Sequence, residues 1–246
     1  MTTVRVSRER IDRLLLERRL AESREKAQAL IMAGEVLVDG RKAHKPGEMV
    51  PVSSNLEVLS RPRFVGRGGI KLQYALEHFN VNPLGMVCLD IGASTGGFTD
   101  CLLQNGAARV HALDVGHGQL DWKLRNDTRV VVYEGINARH LTADEIGEQV
   151  DLAVCDVSFI SATLILPAVV PILKSEGQMI VLVKPQFEAG REQVGKGGIV
   201  RDRAVQQDAC DRVAGTVEAS GFRWSAIDSP IPGAEGNREI LLHAYR

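Results

Sequence analysis

The sequence predicts an α/β fold in which a small α+β domain precedes a doubly wound, mostly parallel sheet of seven strands. Three observations support this prediction. Two short helical patterns precede the strand-like run Val36-Leu37-Val38, seven later apolar runs alternate with helical patterns, and a glycine-rich turn follows the first of those seven. We place the small domain at residues 1–60, a linker at 61–69 and the large domain at 70–246.

The charged residues are divided unevenly between these domains. Residues 1–64 hold 13 Lys and Arg against 9 Asp and Glu, and the remainder holds 17 against 22. A net charge of +4 on a small domain joined to −5 on a larger one indicates a polyanion partner for the first domain.

In the small domain, Ser7 is predicted to cap one helix and Ser23 a second. The run Val36-Leu37-Val38 then leads into Asp39-Gly40, a dipeptide typical of a hairpin turn. A last short strand is predicted near residues 56–59.

Strands and helices alternate in the large domain, which is the pattern of a parallel sheet with helices on both faces. After an opening helix through residues 72–79, the predicted strands are Val87–Ile91, Val110–Leu113, Val130–Val132, Leu152–Cys155, Met179–Val183, Trp224–Ile227 and Ile240–Ala244. The predicted helices are one that follows Gly97, Gln119–Leu124, Ile160–Leu173 and Arg203–Ala219. We expect the glycine-rich segment 186–200, which follows a strand's carboxyl end, to close over a substrate.

The glycine-rich turn reads Asp90-Ile91-Gly92-Ala93-Ser94-Thr95-Gly96-Gly97. It is not a phosphate-binding P-loop, because Phe98 follows the last glycine where a P-loop has Lys and then Ser or Thr. The dinucleotide pattern G-x-G-x-x-G is also absent. The form D-x-G-x-S-x-G-G-F resembles the first motif of the S-adenosylmethionine-dependent methyltransferases, and this resemblance implies S-adenosylmethionine as cofactor.

The same resemblance assigns residues to the cofactor. They are Asp90, Gly92, Ala93, Ser94, Gly96 and Gly97 in the turn, Asp114 after the second strand, Asn137 after the third and Asp156 after the fourth. The turn would line the methionine end of the cofactor. Asp114 stands where doubly wound folds place the carboxylate that binds a ribose, and Asn137 is assigned to the adenine base.

Two short helices followed by Val-Leu-Val-Asp-Gly resemble the S4 RNA-binding fold. The likeness rests on Arg10-Ile11-Asp12, Ser23-Arg24 and residues 33–40. It makes four residues candidates for contacts with RNA phosphates: Arg8, Arg10, Arg24 and Lys45. Each of these alone is also explained as part of a solvated helix surface. The linker, rich in Arg, Gly and Pro, is predicted to be flexible or to become ordered when RNA docks.

Asp156 and Lys184 each stand directly after a predicted strand of the large domain. Asp156 follows Leu152–Cys155, and Lys184 follows Met179–Val183 and precedes Pro185. Because the carboxyl ends of parallel strands meet over the ligand crevice, we expect Lys184 and Asp156 to converge beside the glycine turn. Positive charge nearby lowers the pKa of a lysine, which suits a general base.

Lys71, Asp156, Lys184 and Glu239 resemble, in that chain order, the Lys-Asp-Lys-Glu tetrad of the FtsJ family of ribose 2′-O-methyltransferases. With the S4-like domain in front, the whole chain resembles the TlyA-type ribosomal RNA methyltransferases. The resemblance implies methylation of the cytidine 2′-hydroxyl in ribosomal RNA, with ribosomal subunits as partners. It makes Lys184 the base and Asp156 the group that orients it, while Lys71 and Glu239 hold the acceptor ribose.

Alternative functions remain open at this point. One is a hemolysin-like, membrane-active protein, and another is a methyltransferase that acts on a different RNA. A pseudouridine synthase with an S4 domain has no use for the glycine turn. A methyltransferase for amino groups commonly carries an Asn/Asp-Pro-Pro-aromatic motif, which this sequence lacks.

Several classes of protein are disfavoured by composition. The four cysteines are widely spaced, which indicates neither a metal site nor a disulfide framework. There is no signal peptide pattern and no apolar run long enough to span a bilayer, so we expect a cytoplasmic protein that does not act on membranes. We predict no protein partner and leave the oligomeric state open. Trp122 is predicted to pack within its helix rather than to stack on a base.

Overall fold

The computed structural model describes residues 7–59, 63–233 and 236–246. The chain divides into the units Met1–Pro62 and Arg63–Arg246. The first unit has one hydrophobic core, and the second has one on each face of its sheet.

The first unit combines two helices with short strands. In chain order its elements are β1 (Arg8–Arg10), α1 (Ile11–Glu17), α2 (Arg24–Met32), β2 (Val36–Val38), β3 (Arg41–Lys42), β4 (Met49–Pro51) and β5 (Leu56–Val58). Strands β3, β2 and β5 form one sheet, and β1 pairs with β4. The predicted turn between β2 and β3 is confirmed, since Asp39 and Gly40 have φ angles of 50° and 79°.

The two predicted helix caps have different outcomes. Ser23 caps α2, because its side chain accepts a hydrogen bond from the amide of Lys26 at 3.2 Å. The prediction for Ser7 was wrong. The residues after Ser7 form β1, and α1 begins only at Ile11, without a side-chain cap. Residues 8–10 pair with β4 as a strand, so the helix that Ser7 was predicted to cap does not begin there.

The second unit is a doubly wound sheet with helices on both faces, as predicted. Its elements are α3 (Gly68–His78), β6 (Val87–Ile91), α4 (Gly97–Gln104), β7 (Arg109–Asp114), α5 (Trp122–Arg125), β8 (Val130–Glu134), α6 (Ala143–Ile146), β9 (Val150–Cys155), α7 (Leu166–Val169), β10 (Leu173–Val183), α8 (Pro185–Glu188), α9 (Arg203–Ala219), β11 (Arg223–Asp228) and β12 (Ile240–Tyr245). The strand order is β11-β12-β10-β9-β6-β7-β8. Strands β6 to β10 are parallel, and β12 runs antiparallel to both β10 and β11.

The region predicted as one helix over Ile160–Leu173 is broken into shorter pieces. It contains two 3₁₀ turns, Ala162–Leu164 and Val170–Ile172, on either side of α7. Pro167 and Pro171 lie in the first positions of α7 and of the second turn. A proline has no N–H to donate to a preceding turn, so a continuous helix does not form here.

Residues 63–69, assigned to the linker from the sequence, lie in the second unit. Phe64 is buried in the core on one face of the sheet, and the amide of Val65 donates to Asp100 at 2.9 Å. A Cβ on Gly69 would overlap the Phe64 ring. An aromatic anchor and a close glycine contact therefore pack a segment whose composition predicts flexibility. Residues 60–62 of the predicted linker lie outside the described residues.

Trp122 does not pack within its helix, so that prediction was wrong. Its side chain is 75% exposed, because α5 begins at Trp122 and makes only one turn. The buried contact of α5 is made instead by Leu124, which lies against Gly96 of the glycine turn.

Gly92 and Gly85 offer a matched pair of substitutions that tests the close approach of β6 to β9. Both have positive φ angles, 84° and 74°, but only at Gly92 would a Cβ overlap another group, the carbonyl oxygen of Asp156. We expect Gly85→Ala to lower the free energy of unfolding by about 1 kcal/mol, from backbone strain alone. Gly92→Ala should lower it by about 3 kcal/mol, because the strand ends must also move apart.

Urea unfolding followed by tryptophan fluorescence measures this difference. Both tryptophans, Trp122 and Trp224, lie in the second unit and report on it alone. Equal losses in the two variants would show that the contact between Gly92 and Asp156 does not constrain the fold.

Candidate active site

One edge of the seven-stranded sheet collects the ionisable residues that the sequence singles out. The carboxyl ends of the parallel strands lie at this edge, and so does the amino end of β12, since Ile240 pairs with Val183. The residues at these strand ends are Asp90, Asp114, Asp156, Lys184 and Glu239. The topology therefore brings five predicted site residues from five strands to one edge.

Lys71 and Glu239 form a buried ion pair. Nζ of Lys71, in the first turn of α3, donates a hydrogen bond to Oε2 of Glu239, which directly precedes β12. Gly233 closes over the same carboxylate, so that a Cβ there would lie 2.5 Å from Oε1 of Glu239. The carboxylate is held between a cation and the backbone, which fixes its direction.

Lys184 and Asp156 form a second ion pair, partly exposed. Nζ of Lys184 lies 2.6 Å from Oδ1 of Asp156 and donates to Oγ of Ser158 at 2.8 Å. Both acceptors come from the segment that follows β9, and Lys184 follows the neighbouring strand β10. The amine therefore has two partners on one side and open space on the other.

Two backbone amides, one in the glycine turn and one just after β7, hold the carboxylate of Asp114. Ser94 N donates to Oδ2 at 2.8 Å, and Gly116 N donates to Oδ1 at 2.7 Å. Gly92, Ser94 and Gly96 all have positive φ angles, so this turn depends on left-handed backbone conformations. Each oxygen of Asp114 keeps a lone pair for a further donor.

Three adjoining cavities open along this edge. One of about 470 Å³ is lined by Gly92, Ser94, Asp114, Asn137 and Asp156, together with apolar side chains such as Ile136 and Ile160. A second, of about 360 Å³, is lined by Ser158, Phe159, Lys184, Gln186, Phe187, Val194, Gly198 and Glu239. The third, of about 200 Å³, joins Ala93 and Gly97 to Asp156 and Lys184. Asp156 borders the first and third, and Lys184 the second and third.

Three predicted site residues of the second unit do not line these cavities: Lys71, Asp90 and Gly96. Lys71 lies behind Glu239 and reaches the site only through that carboxylate. Gly96 packs against Leu120 and Leu124 of the neighbouring helix region, where a side chain would collide.

Asp90 is buried at the end of β6 with an incomplete set of hydrogen bonds. Its Oδ2 accepts from Oγ1 of Thr99 at 2.6 Å, while Oδ1 has no hydrogen-bond partner among the described residues. Burial raises the pKa of Asp90 from its ordinary 3.8 to about 7, and the nearby carboxylates of Asp156 and Asp114 add to this rise. A buried acceptor without a donor, near two further carboxylates, fits a cationic ligand.

In the first unit, two of the four predicted phosphate contacts are already engaged. Asp12 is fully buried, and its carboxylate accepts hydrogen bonds from Arg10, Arg24 and Gln28. These donors hold the pKa of Asp12 well below its usual range, mainly through Arg10. Arg10 and Arg24 remain partly exposed, with one carboxylate between them.

The other two predicted contacts are more available. Arg8 is exposed and donates to the carbonyl of Met49 at 2.7 Å, while Lys45 is exposed in the loop before β4. Arg41 and Lys42 of β3 are exposed as well, and they were not predicted from the sequence as phosphate contacts.

Phe159 and Ser158 were also missed from the sequence. Phe159 is 92% exposed with a φ of 65°, and its ring lies 5.2 Å from that of Phe187. A positive φ at a bulky residue is strained and is found mostly at functional sites. The signal available in the sequence was their position directly after Asp156.

Two features are absent from the described residues. No group of His, Cys, Asp and Glu there could hold a metal ion. In the same parts of the chain, no helix is long and apolar enough to cross a membrane.

Comparison with known families gives matches to both units. The FtsJ-like methyltransferase family model matches residues 64–246, and the S4 domain model matches residues 9–56. The 16S/23S rRNA (cytidine-2′-O)-methyltransferase TlyA of Mycobacterium tuberculosis is 48% identical to this chain over 238 residues, covering 96% of this chain and 89% of that protein.

Solved structures are similar at two levels. A candidate hemolysin from Streptococcus thermophilus is 44% identical, with a TM-score of 0.74, and the match covers 98% of this chain and 89% of that one. The 1,6-didemethyltoxoflavin-N1-methyltransferase of Burkholderia thailandensis, solved with S-adenosylhomocysteine, is 20% identical with a TM-score of 0.51, covering 72% and 78%. At that identity the second likeness concerns the fold alone.

The raised pKa of Asp90 predicts a pH dependence of stability. Between about pH 4 and 7 the folded chain keeps a proton that the unfolded chain has lost, so the free energy of unfolding falls as pH rises. One such group contributes a slope of at most about 1.4 kcal/mol per pH unit. Asp90→Asn should remove this slope, and urea unfolding at pH 4.5 to 7.5 measures it. Identical slopes in the two proteins would contradict the assignment.

Proposed function

The chain belongs to the FtsJ-like methyltransferases and carries an S4 domain, and we propose that it transfers a methyl group from S-adenosylmethionine to the 2′-hydroxyl of cytidine in ribosomal RNA. The observation that carries this proposal is the placement of Lys184 and Asp156 where the three cavities meet. The 48% identical relative bears the name of an enzyme for this reaction.

The first and third cavities suit the cofactor. When bound, S-adenosylmethionine supplies an activated methyl group on a positively charged sulfur. Asp114 presents a carboxylate fixed by two amides, which is suited to accept hydrogen bonds from ribose hydroxyls. Asn137 and the apolar wall provide a place for the base, and the turn residues Gly92, Ala93 and Gly97 let the backbone approach the methionine end.

The surroundings of Asp90 also favour a positively charged cofactor at this site. Asp114 and Asp156 line the first cavity with carboxylates, and a cation bound beside them would favour the ionised form of the buried Asp90. Such a site attracts a cofactor that carries a sulfonium and an ammonium group.

The second cavity suits the acceptor nucleotide. Glu239, fixed by Lys71, faces it with a carboxylate that can accept a hydrogen bond from a ribose hydroxyl. The exposed ring of Phe159 lines the same space and offers a surface for the base.

Lys184 is placed to take the proton from the 2′-hydroxyl. Asp156 and Ser158 hold its amine at the junction of the cavities, so the acceptor oxygen can meet both the amine and the methyl group. A lysine accepts a proton only as the neutral amine, and positive charge nearby favours that form. Asp156 keeps the amine of Lys184 oriented. Alignment and removal of one proton are the tasks left to the protein.

The first unit would hold the RNA through its phosphates. Lys45, Arg8 and the adjacent Arg41 and Lys42 are exposed cations on one small unit. Arg10 and Arg24 would contribute less net charge, because Asp12 lies between them. Phosphate contacts of this kind set affinity and position.

Replacing Lys184 tests the proposed chemistry. With tritium-labelled S-adenosylmethionine and ribosomal subunits, we expect label on a ribose 2′-oxygen, reduced at least about a hundredfold in Lys184→Ala because the base is lost. Lys174→Ala is a matched control: Lys174 lies in β10, the strand that Lys184 follows, pairs with Asp151 at 2.6 Å and does not line the three cavities. It should keep near wild-type transfer. Equal transfer by both variants would refute the role of Lys184.

Replacing Lys45 tests the RNA contact. We expect Lys45→Ala to weaken binding to ribosomal RNA and to reduce the slope of log affinity against log salt by about 1, as one lost phosphate contact requires. Arg24→Ala should change the slope less, because Asp12 already balances that charge. Lys26→Ala, which removes a cation paired with Glu22, serves as the control, and filter binding at several salt concentrations gives the slopes. A slope unchanged in Lys45→Ala would remove Lys45 from the interface.

A further inference from the structure

Glu188 is a buried acid in the second unit that the proposed reaction does not use directly. It ends α8, four residues after Lys184, and its side chain is 7% exposed. The carboxylate accepts a hydrogen bond from Oγ of Ser161 and another, at 2.7 Å, from the amide of Ala162. Both donors belong to the segment that follows Asp156.

The segment 156–162 needs such support. It carries Asp156, Ser158 and Phe159 toward the cavities, and its backbone is strained at Phe159, where φ is positive. Strain of this kind persists only where the surroundings impose it. Without a tie beyond Phe159, the segment could relax and move its side chains away from Lys184.

Two links join this segment to the end of β10. At one end Lys184 contacts Asp156 and Ser158, and at the other end Glu188 binds Ser161 and Ala162. Between these links the rings of Phe159 and Phe187 are in contact. Phe159, the strained residue, therefore lies in sequence between two sets of polar contacts, both made to residues 184–188.

We propose that Glu188 is a positioning residue for methyl transfer, which holds Asp156, Ser158 and Phe159 in register with Lys184. This inference rests on the proposed function for its catalytic consequence, but the ordering of the segment is a separate and measurable claim. Glu188 would not touch the cofactor or the acceptor, and it would act through the segment 156–162.

Two variants of Glu188 test this role. Glu188→Ala removes both hydrogen bonds, and we expect kcat to fall about fiftyfold because a small displacement of aligned groups mainly affects the chemical step. The dissociation constant for S-adenosylmethionine should rise by a smaller factor, since the segment 156–162 also lines the first cavity. Glu188→Gln keeps an acceptor for the amide of Ala162 and can donate to Ser161, so we expect kcat within about threefold of wild type.

Arg212 offers a control in the same neighbourhood. Its guanidinium donates to the backbone carbonyl of Glu188 at 2.9 Å and has no hydrogen bond to the segment 156–162. Arg212→Ala removes a contact to the same residue without breaking the link, and it should leave kcat within about threefold of wild type.

Amide hydrogen exchange gives a measurement that does not depend on activity. We expect faster exchange in residues 157–164 of Glu188→Ala, with unchanged exchange in β6 and β7. If wild-type protein methylates no RNA, the proposed function fails, and the exchange measurement still decides whether Glu188 orders the segment. Should Glu188→Ala not fold, Ser161→Ala breaks one of the same bonds from the other side.

The inference is overturned by either of two results. One is wild-type exchange in residues 157–164 of the Ala variant. The other is a loss of kcat in Glu188→Gln and Arg212→Ala equal to that in Glu188→Ala, which would indicate a general loss of packing rather than loss of this link.

Discussion

The buried ion pair between Lys71 and Glu239 constrains the second unit, because neither charge can stay inside the protein without the other. Lys71 is fixed to the first turn of α3, and Glu239 directly precedes β12. Strand β12 must therefore begin at the edge where the parallel strands end, which its antiparallel direction allows. Buried pairs seldom stabilise a fold more than apolar residues would. The pair is better explained by the carboxylate it holds in place at the second cavity.

Much of the fold was predictable because the signals are local. Short apolar runs, the glycine turn after β6 and the Asp39-Gly40 turn each act within a few residues. Two of the failures are non-local. Ser7 lost its predicted helix to strand pairing across the first unit, and Phe64 brought the predicted linker into a core. The failure of the predicted helix over Ile160–Leu173 has a local cause, because Pro167 and Pro171 interrupt an otherwise apolar, helix-like run.

The site shows the same division between local and non-local information. Asp156 and Lys184 stand at strand ends, so their convergence follows from topology and was expected. From the sequence, Lys71 and Glu239 were expected to share the task of holding the acceptor. It was not expected that Lys71 would bind Glu239 and that only Glu239 would line a cavity. Charge counts predict that the first domain is positively charged, but they do not show which cations are free to contact a ligand. Asp12 balances the charges of Arg10 and Arg24. No pattern of spacing in a sequence indicates that a buried acid will pair with arginines at the surface.

The place of β12 between β10 and β11 also affects how the site comes into being during synthesis. Both neighbours are translated before β12, so the last of the seven strands must insert between two that already exist. The first unit has its own core and can fold as soon as it leaves the ribosome. Glu239, in contrast, is added after every other residue of the site. A nascent chain thus has its cationic unit well before it has a complete crevice.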